Sequence, residues 1–176
     1  MKKLLILVAA LFAIGTVSAQ KFARINMQEI VVAMPEFEVA QKNLEAFGKD
    51  LQEQMEQIQV EFNNKLADFQ KNQATMAASV KQMKQQELEQ LQQRFSEFQQ
   101  IAQQDFQKKE AELLEPVQKK AQEAINKIAK ANGYIAVFNT GVPSLAYFDE
   151  AQLTDIAALV KKELGIVESP VAPAAK

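Results

Sequence analysis

From Pro35 to about Asn132 the chain is dominated by Gln, Glu, Lys, Ala and Leu, and only Gly48 and Pro116 interrupt it. All five residue types are strong helix formers. A helical stretch this long exceeds any single globular core, so it must be a coiled coil or a hairpin of long helices. In its first half the apolar stripe is Leu44, Phe47, Leu51, Met55, Ile58, Phe62, Leu66 and Phe69. The steps repeat every 11 residues, which gives a nearly straight or slightly right-handed stripe. In the second half the stripe is Leu88, Leu91, Phe95, Phe98, Ala102 and Phe106.

Folded back antiparallel, the two stripes should pair so that facing residue numbers add to a constant. They do: Phe47 with Phe106, Leu51 with Ala102, Met55 with Phe98, Ile58 with Phe95 and Phe62 with Leu91 all give 153. Leu66 with Leu88 misses by one, and Leu44 meets Lys109 in one poor layer. Outward, Ala40 with Leu113 and Phe37 with Pro116 keep the constant. This mirror places the apex near Met76 and Ala77, inside the uncharged TMAAS. It predicts arms of about 40 residues, roughly 60 Å long at 1.5 Å per residue. Pro116 removes the helical bond to Glu112, and it falls opposite Phe37, where both helices would leave the arm. Gly48 costs roughly 1 kcal/mol relative to Ala in a helix interior, so it is either a flexing point or a tolerated cost.

The flanks read differently. KFARINM, residues 21–27, alternates as a strand with Ala23, Ile25 and Met27 on one side, and a short helical QEIVVA follows. Beyond Pro116 the apolar stripe widens, so the helix base has more than one neighbour. GYIAVFN and SLAYF read as two further strands around the turn NTGVP. TDIAALVKKELG then reads as a helix with Thr154 as N-cap, lysines in its last turn and Gly165 just past its end. The division expected is a body of 20–34 and 117–165, an arm of 35–116, and a disordered tail of 166–176. The fold class is α+β, mostly α. So small a sheet is marginal alone, and oligomerisation through its strands would supply the missing core.

The first 19 residues have a charged start, an apolar run of about 12 residues and small residues at Val17 and Ala19. This is the pattern of a cleavable signal peptide, cut after Ala19. The run is too short to anchor the chain in a membrane. Removing it leaves 18 basic and 22 acidic residues, so nothing favours nucleic acid. An exported chain with no Cys cannot use disulfides for stability. With no His or Cys, the usual general base, thiol nucleophile and soft metal ligands are missing, and no phosphate-binding glycine loop appears. No enzyme, cofactor or metal site is expected.

Taken in order, the leader, FARINMQEI, the PEF at the arm start, the Gln-rich arms, LLEPVQKKAQEAINKIAKANGYIAVFN, LAYF and LTDIAALVKKEL make the chain resemble the Skp/OmpH family of periplasmic chaperones. The resemblance implies a jellyfish-like homotrimer. Three small β bodies join, and three helical hairpins enclose a cavity that holds unfolded outer-membrane proteins without ATP. The best-known members of the family are strongly basic. Here residues 36–132 hold 13 basic and 16 acidic side chains, so lipopolysaccharide is not expected as a ligand. Client contacts are expected at Met55, Val60, Phe62, Phe69, Met76, Met83, Phe95, Phe98, Ile101 and Phe106. Val60 and Ile101 stand out because they fall off the seam stripe. Oligomer contacts are expected at Ala23, Ile25, Met27, Ile135, Val137, Phe138, Leu145 and Tyr147. The alternative is a structural spacer or envelope adaptor whose arms dock one defined partner.

Overall fold

The structure, a computed structural model, describes residues 20–142 and 147–167. The expected leader with its cleavage after Ala19, most of the expected strand SLAYF with Leu145, and the tail from residue 168 lie outside the described residues. The elements run β1 (Lys21–Ile25), α1 (Met27–Val32), α2 (Pro35–Asn72), α3 (Ala78–Asn132), β2 (Tyr134–Asn139), β3 (Thr154–Asp155) and α4 (Ala157–Glu163). The fold is mostly helical, with a small three-stranded sheet and a long α2–α3 hairpin. The described residues divide into two compact units, one of 20–30 with those from 121 onward, and one of 31–120.

In the first unit the strand order is β2-β1-β3, and both pairings are parallel. The alternation of KFARI places Ala23 and Ile25 on the buried face, where they are 0% and 2% exposed. Ile30, Ala121, Ala124, Ile125, Ile156 and Val160 complete this unit's core. The expected strand through residue 27 stops short, because Asn26 caps α1. Its Oδ1 accepts from the N–H of Gln28 at 3.1 Å and of Glu29 at 3.4 Å, and its amide donates to Glu29 Oε1 at 2.7 Å. Met27 therefore opens a helix rather than ending a strand.

The third strand also differs from expectation. Tyr147 and Phe148 have no regular structure, and the sheet is completed by Thr154–Asp155 instead. NTGVP begins as a turn, since Asn139 Oδ1 accepts from the Gly141 N–H at 3.0 Å, but no described strand returns from it. Thr154 is thus not the N-cap of the last helix. Asp155 holds that helix start, accepting from the Ala157 N–H at 2.9 Å. Ile156 N–H donates to Arg24 C=O at 3.1 Å, and the Arg24 guanidinium reaches Asp155 at 3.3 Å and Glu150 at 3.7 Å. Pairing to β1 and this charge clamp outweigh the capping preference of Thr154. The other end of α4 follows its sequence. Gly165 takes φ +70°, a conformation that favours glycine, and the Ile166 N–H closes back on Lys161 C=O at 2.9 Å.

In the second unit α2 and the 78–120 part of α3 run antiparallel. The turn between them spans residues 73–77. Pro116 sits inside a continuous α3, whose ladder gives up the bond that Pro116 cannot donate.

Candidate binding surface

The hairpin seam holds the side chains that matter. Ile58, Leu91, Ala40 and Ala102 are buried along it. Leu44, Phe47, Leu51, Met55, Phe62, Phe69, Phe95, Phe98 and Phe106 are only half-buried, because two helices cannot enclose rings this large. A groove of about 290 Å³ runs beside Ile58, Phe62, Leu91 and Phe95. Charged pairs fix the register across the seam. Lys65 meets Glu87 at 3.3 Å, Arg94 meets Glu61 at 3.6 Å, and Lys120 bonds Glu36. All three pairs fall within three of the constant that aligns the phenylalanines.

Gly48 has a packing reason that its propensity could not reveal. A Cβ there would lie 3.2 Å from Phe106 Cε2, so the ring rests against bare backbone. The expected partner of Phe106, Phe47, lies one residue away.

Among the expected client contacts, Met55, Phe62, Phe69, Met76, Phe95, Phe98 and Phe106 are half-buried, with one face in the hairpin and one free. Val60, Met83 and Ile101 are exposed. Ile101 is 54% exposed, near the middle of α3. Sequence reasoning missed Val80, which is also exposed and lies one turn before Met83. Its spacing of three from Met83, just past the uncharged TMAAS, was the available signal.

The expected oligomer contacts divide. Ala23 and Ile25 are consumed by the chain's own core, so their assignment to a partner surface is corrected. Met27, Val137 and Phe138 are half-buried, Ile135 is 59% exposed and Tyr147 is 85% exposed. β2 lies at the edge of the sheet. A groove of about 290 Å³ follows it, lined by Met27, Ile125, Ala129, Ile135 and Val137. On the opposite sheet face Phe22 stacks on Phe138 with ring centres 6.1 Å apart. The sequence offered that signal as an aromatic residue on the nominally polar side of β1. Among the described residues there is no group of acids that could hold a metal, and no helix is long and apolar enough to cross a membrane.

The hairpin thus carries a seam of large apolar side chains that its two helices only half enclose. The chain belongs to the OmpH family: residues 21–164 match the family described as Outer membrane protein (OmpH-like). It is 26% identical over 165 residues to Chaperone protein Skp of Photorhabdus laumondii, covering 92% of this chain and 100% of that one. It is 28% identical over 155 residues to Chaperone protein Skp of Yersinia enterocolitica, covering 88% and 92%. A crystal structure of an OmpH-like protein from Caulobacter crescentus superposes with a TM-score of 0.71 at 12% identity, over 84% of this chain and 85% of that chain. The chain is thus an Skp-family chaperone, and it is not an enzyme.

Two predictions follow from the seam. Gly48→Leu forces Phe106 out of its seat and should destabilise the hairpin by about 1–3 kcal/mol, read as a lower midpoint of the helical signal in urea. A pure flexing point would instead tolerate or gain from the change. The second concerns pH. The hydrogen bond from Lys120 holds the Glu36 carboxyl below its ordinary value of 4.5, and hydrogen bonds from Lys84 and Lys65 do the same for Glu87. A depressed carboxylate stabilises the fold above its unfolded pKa, and this is lost as pH falls through the lower folded value. The melting temperature of the helices should hold from pH 7 to about 5 and fall below about 4. Glu36→Gln with Glu87→Gln should lower it at pH 7 and flatten that acid limb.

Proposed function

We propose that this protein is an ATP-independent holdase that binds unfolded outer-membrane proteins against its helical hairpin and prevents their aggregation. It acts in the periplasm once its leader is removed. It works as a homotrimer joined through the small sheets. The observation that carries this reading is the hairpin seam, which leaves six large apolar side chains half-buried along α2 and α3, with Met76 a seventh in the turn between them. An unfolded client has no fixed shape, so many weak and adaptable contacts suit it better than one deep pocket. The free sides of the phenylalanines supply area, and Met55, Met76 and Met83 supply flexible, polarizable groups. Glutamine amides between them can donate to and accept from an extended client backbone.

The free β2 edge supports the assembly. An unpaired strand with Ile135 exposed beside an apolar groove is a template for another chain. The groove gives its partner somewhere to place side chains.

Dilution of a urea-unfolded porin into the mature protein tests the function. Light scattering should be suppressed at near-stoichiometric ratios without nucleotide. Val60→Ser with Ile101→Ser should raise the amount of protein needed roughly two- to tenfold, given the apolar area removed. Undiminished porin aggregation contradicts the reading.

A further inference from the structure

The hairpin unit, Val31–Lys120, contains fifteen carboxylates and eleven cationic side chains. Seven of the cations lie within 4.0 Å of a carboxylate of the same unit. The ion pairs leave Lys71, Lys81, Lys108 and Lys119 outside them, against nine carboxylates. The surface presented to a client is therefore richer in uncompensated negative charge than the composition suggests.

Part of that charge surrounds exposed apolar groups. Ile101, 54% exposed, has Glu97 one turn before it and Asp105 one turn after it. Positions four apart lie on one helix face, so the three form a single strip, acid–apolar–acid. Neither carboxylate meets a cation within ion-pair distance, although Glu97 accepts a hydrogen bond from the Gln93 amide at 2.8 Å. Cations do lie one turn beyond the two acids, but none is within 4.0 Å of them: Arg94, three before Glu97, is engaged by Glu61, and Lys109, four after Asp105, is engaged by Glu112. On α2, Val60 is 48% exposed, with Glu56 one turn before it and Asn64 one turn after. Glu56 likewise has no cation within ion-pair distance.

We infer that these faces select client segments in which an apolar side chain is flanked by lysine or arginine, with Glu97–Ile101–Asp105 as the main contact and Glu56–Val60 as a second. The inference rests on the holdase reading and specifies which segments the surface prefers. An apolar group covers Ile101 or Val60, and neighbouring cations reach the carboxylates one turn away. Acidic segments meet uncompensated like charge at the same places. Attraction of this kind sets approach and selection more than total affinity, and added salt weakens it.

Two dye-labelled peptides test this. They share one leucine–alanine core, flanked on both sides by lysines in one and by glutamates in the other. Anisotropy titration with the mature full-length protein should show the lysine peptide binding about tenfold tighter at ~0.01 M salt, where screening extends over ~30 Å. The gap should close at ~1 M salt, where it extends over ~3 Å. Glu97→Gln with Asp105→Asn should narrow the gap at low salt through the lysine peptide. Ile101→Ser should weaken the lysine peptide further. Equal binding of both peptides, tighter binding of the glutamate peptide, or a gap indifferent to the double variant overturns the inference. If neither peptide binds while porin aggregation is still suppressed, the charge preference fails and the holdase reading stands. If porin protection fails as well, both fall.

Discussion

The chain has too little enclosed core, and most of its other features follow from that constraint. Fifteen apolar residues are buried among the described residues, several of them alanines, and no charged or polar residue joins them. There are no cysteines to supplement them. A two-helix seam covers each phenylalanine on one side only. A three-stranded sheet with free edges cannot close on itself. Under the proposed function, the unfinished burial in the seam serves unfolded chains, and that at the sheet edge serves copies of the same chain.

The hairpin was readable because its information is periodic. Stripes spaced three and four apart, mirrored about one point, specify both the helices and their pairing. The salt bridges at Lys65–Glu87, Arg94–Glu61 and Lys120–Glu36 follow the same register. The seat of Phe106 on Gly48 was not readable. Propensity scores only the cost of a glycine and is blind to a ring approaching from another helix. The sheet was read less well because its determinants are non-local. Thr154 and Asp155 look like a helix start by themselves, and they become a strand because Arg24, 130 and 131 residues earlier in the chain, offers a backbone acceptor and a guanidinium. Likewise Ala23 and Ile25 alternate as any exposed strand face would. Only the folded chain shows that its own helices cover them.

The candidate contact residues had a similar division. Ile101 and Val60 could be singled out because they broke the stripe, and both are exposed. The charge context of Ile101 required the ion pairs. Composition gives a nearly balanced arm, whereas the structure consumes most of its cations internally and leaves Glu97 and Asp105 outside that network. Skp-family membership supplies the chaperone role, and these side chains supply what is particular to this chain.

Because both surfaces arise from incomplete burial, the solution mass of the mature protein tests the account most directly. Analytical ultracentrifugation across a dilution series should find a species of three chain masses that persists at low concentration, joined through the sheets. A stable monomer with its helical and sheet signals intact would contradict it, since the body would then be closed without a partner.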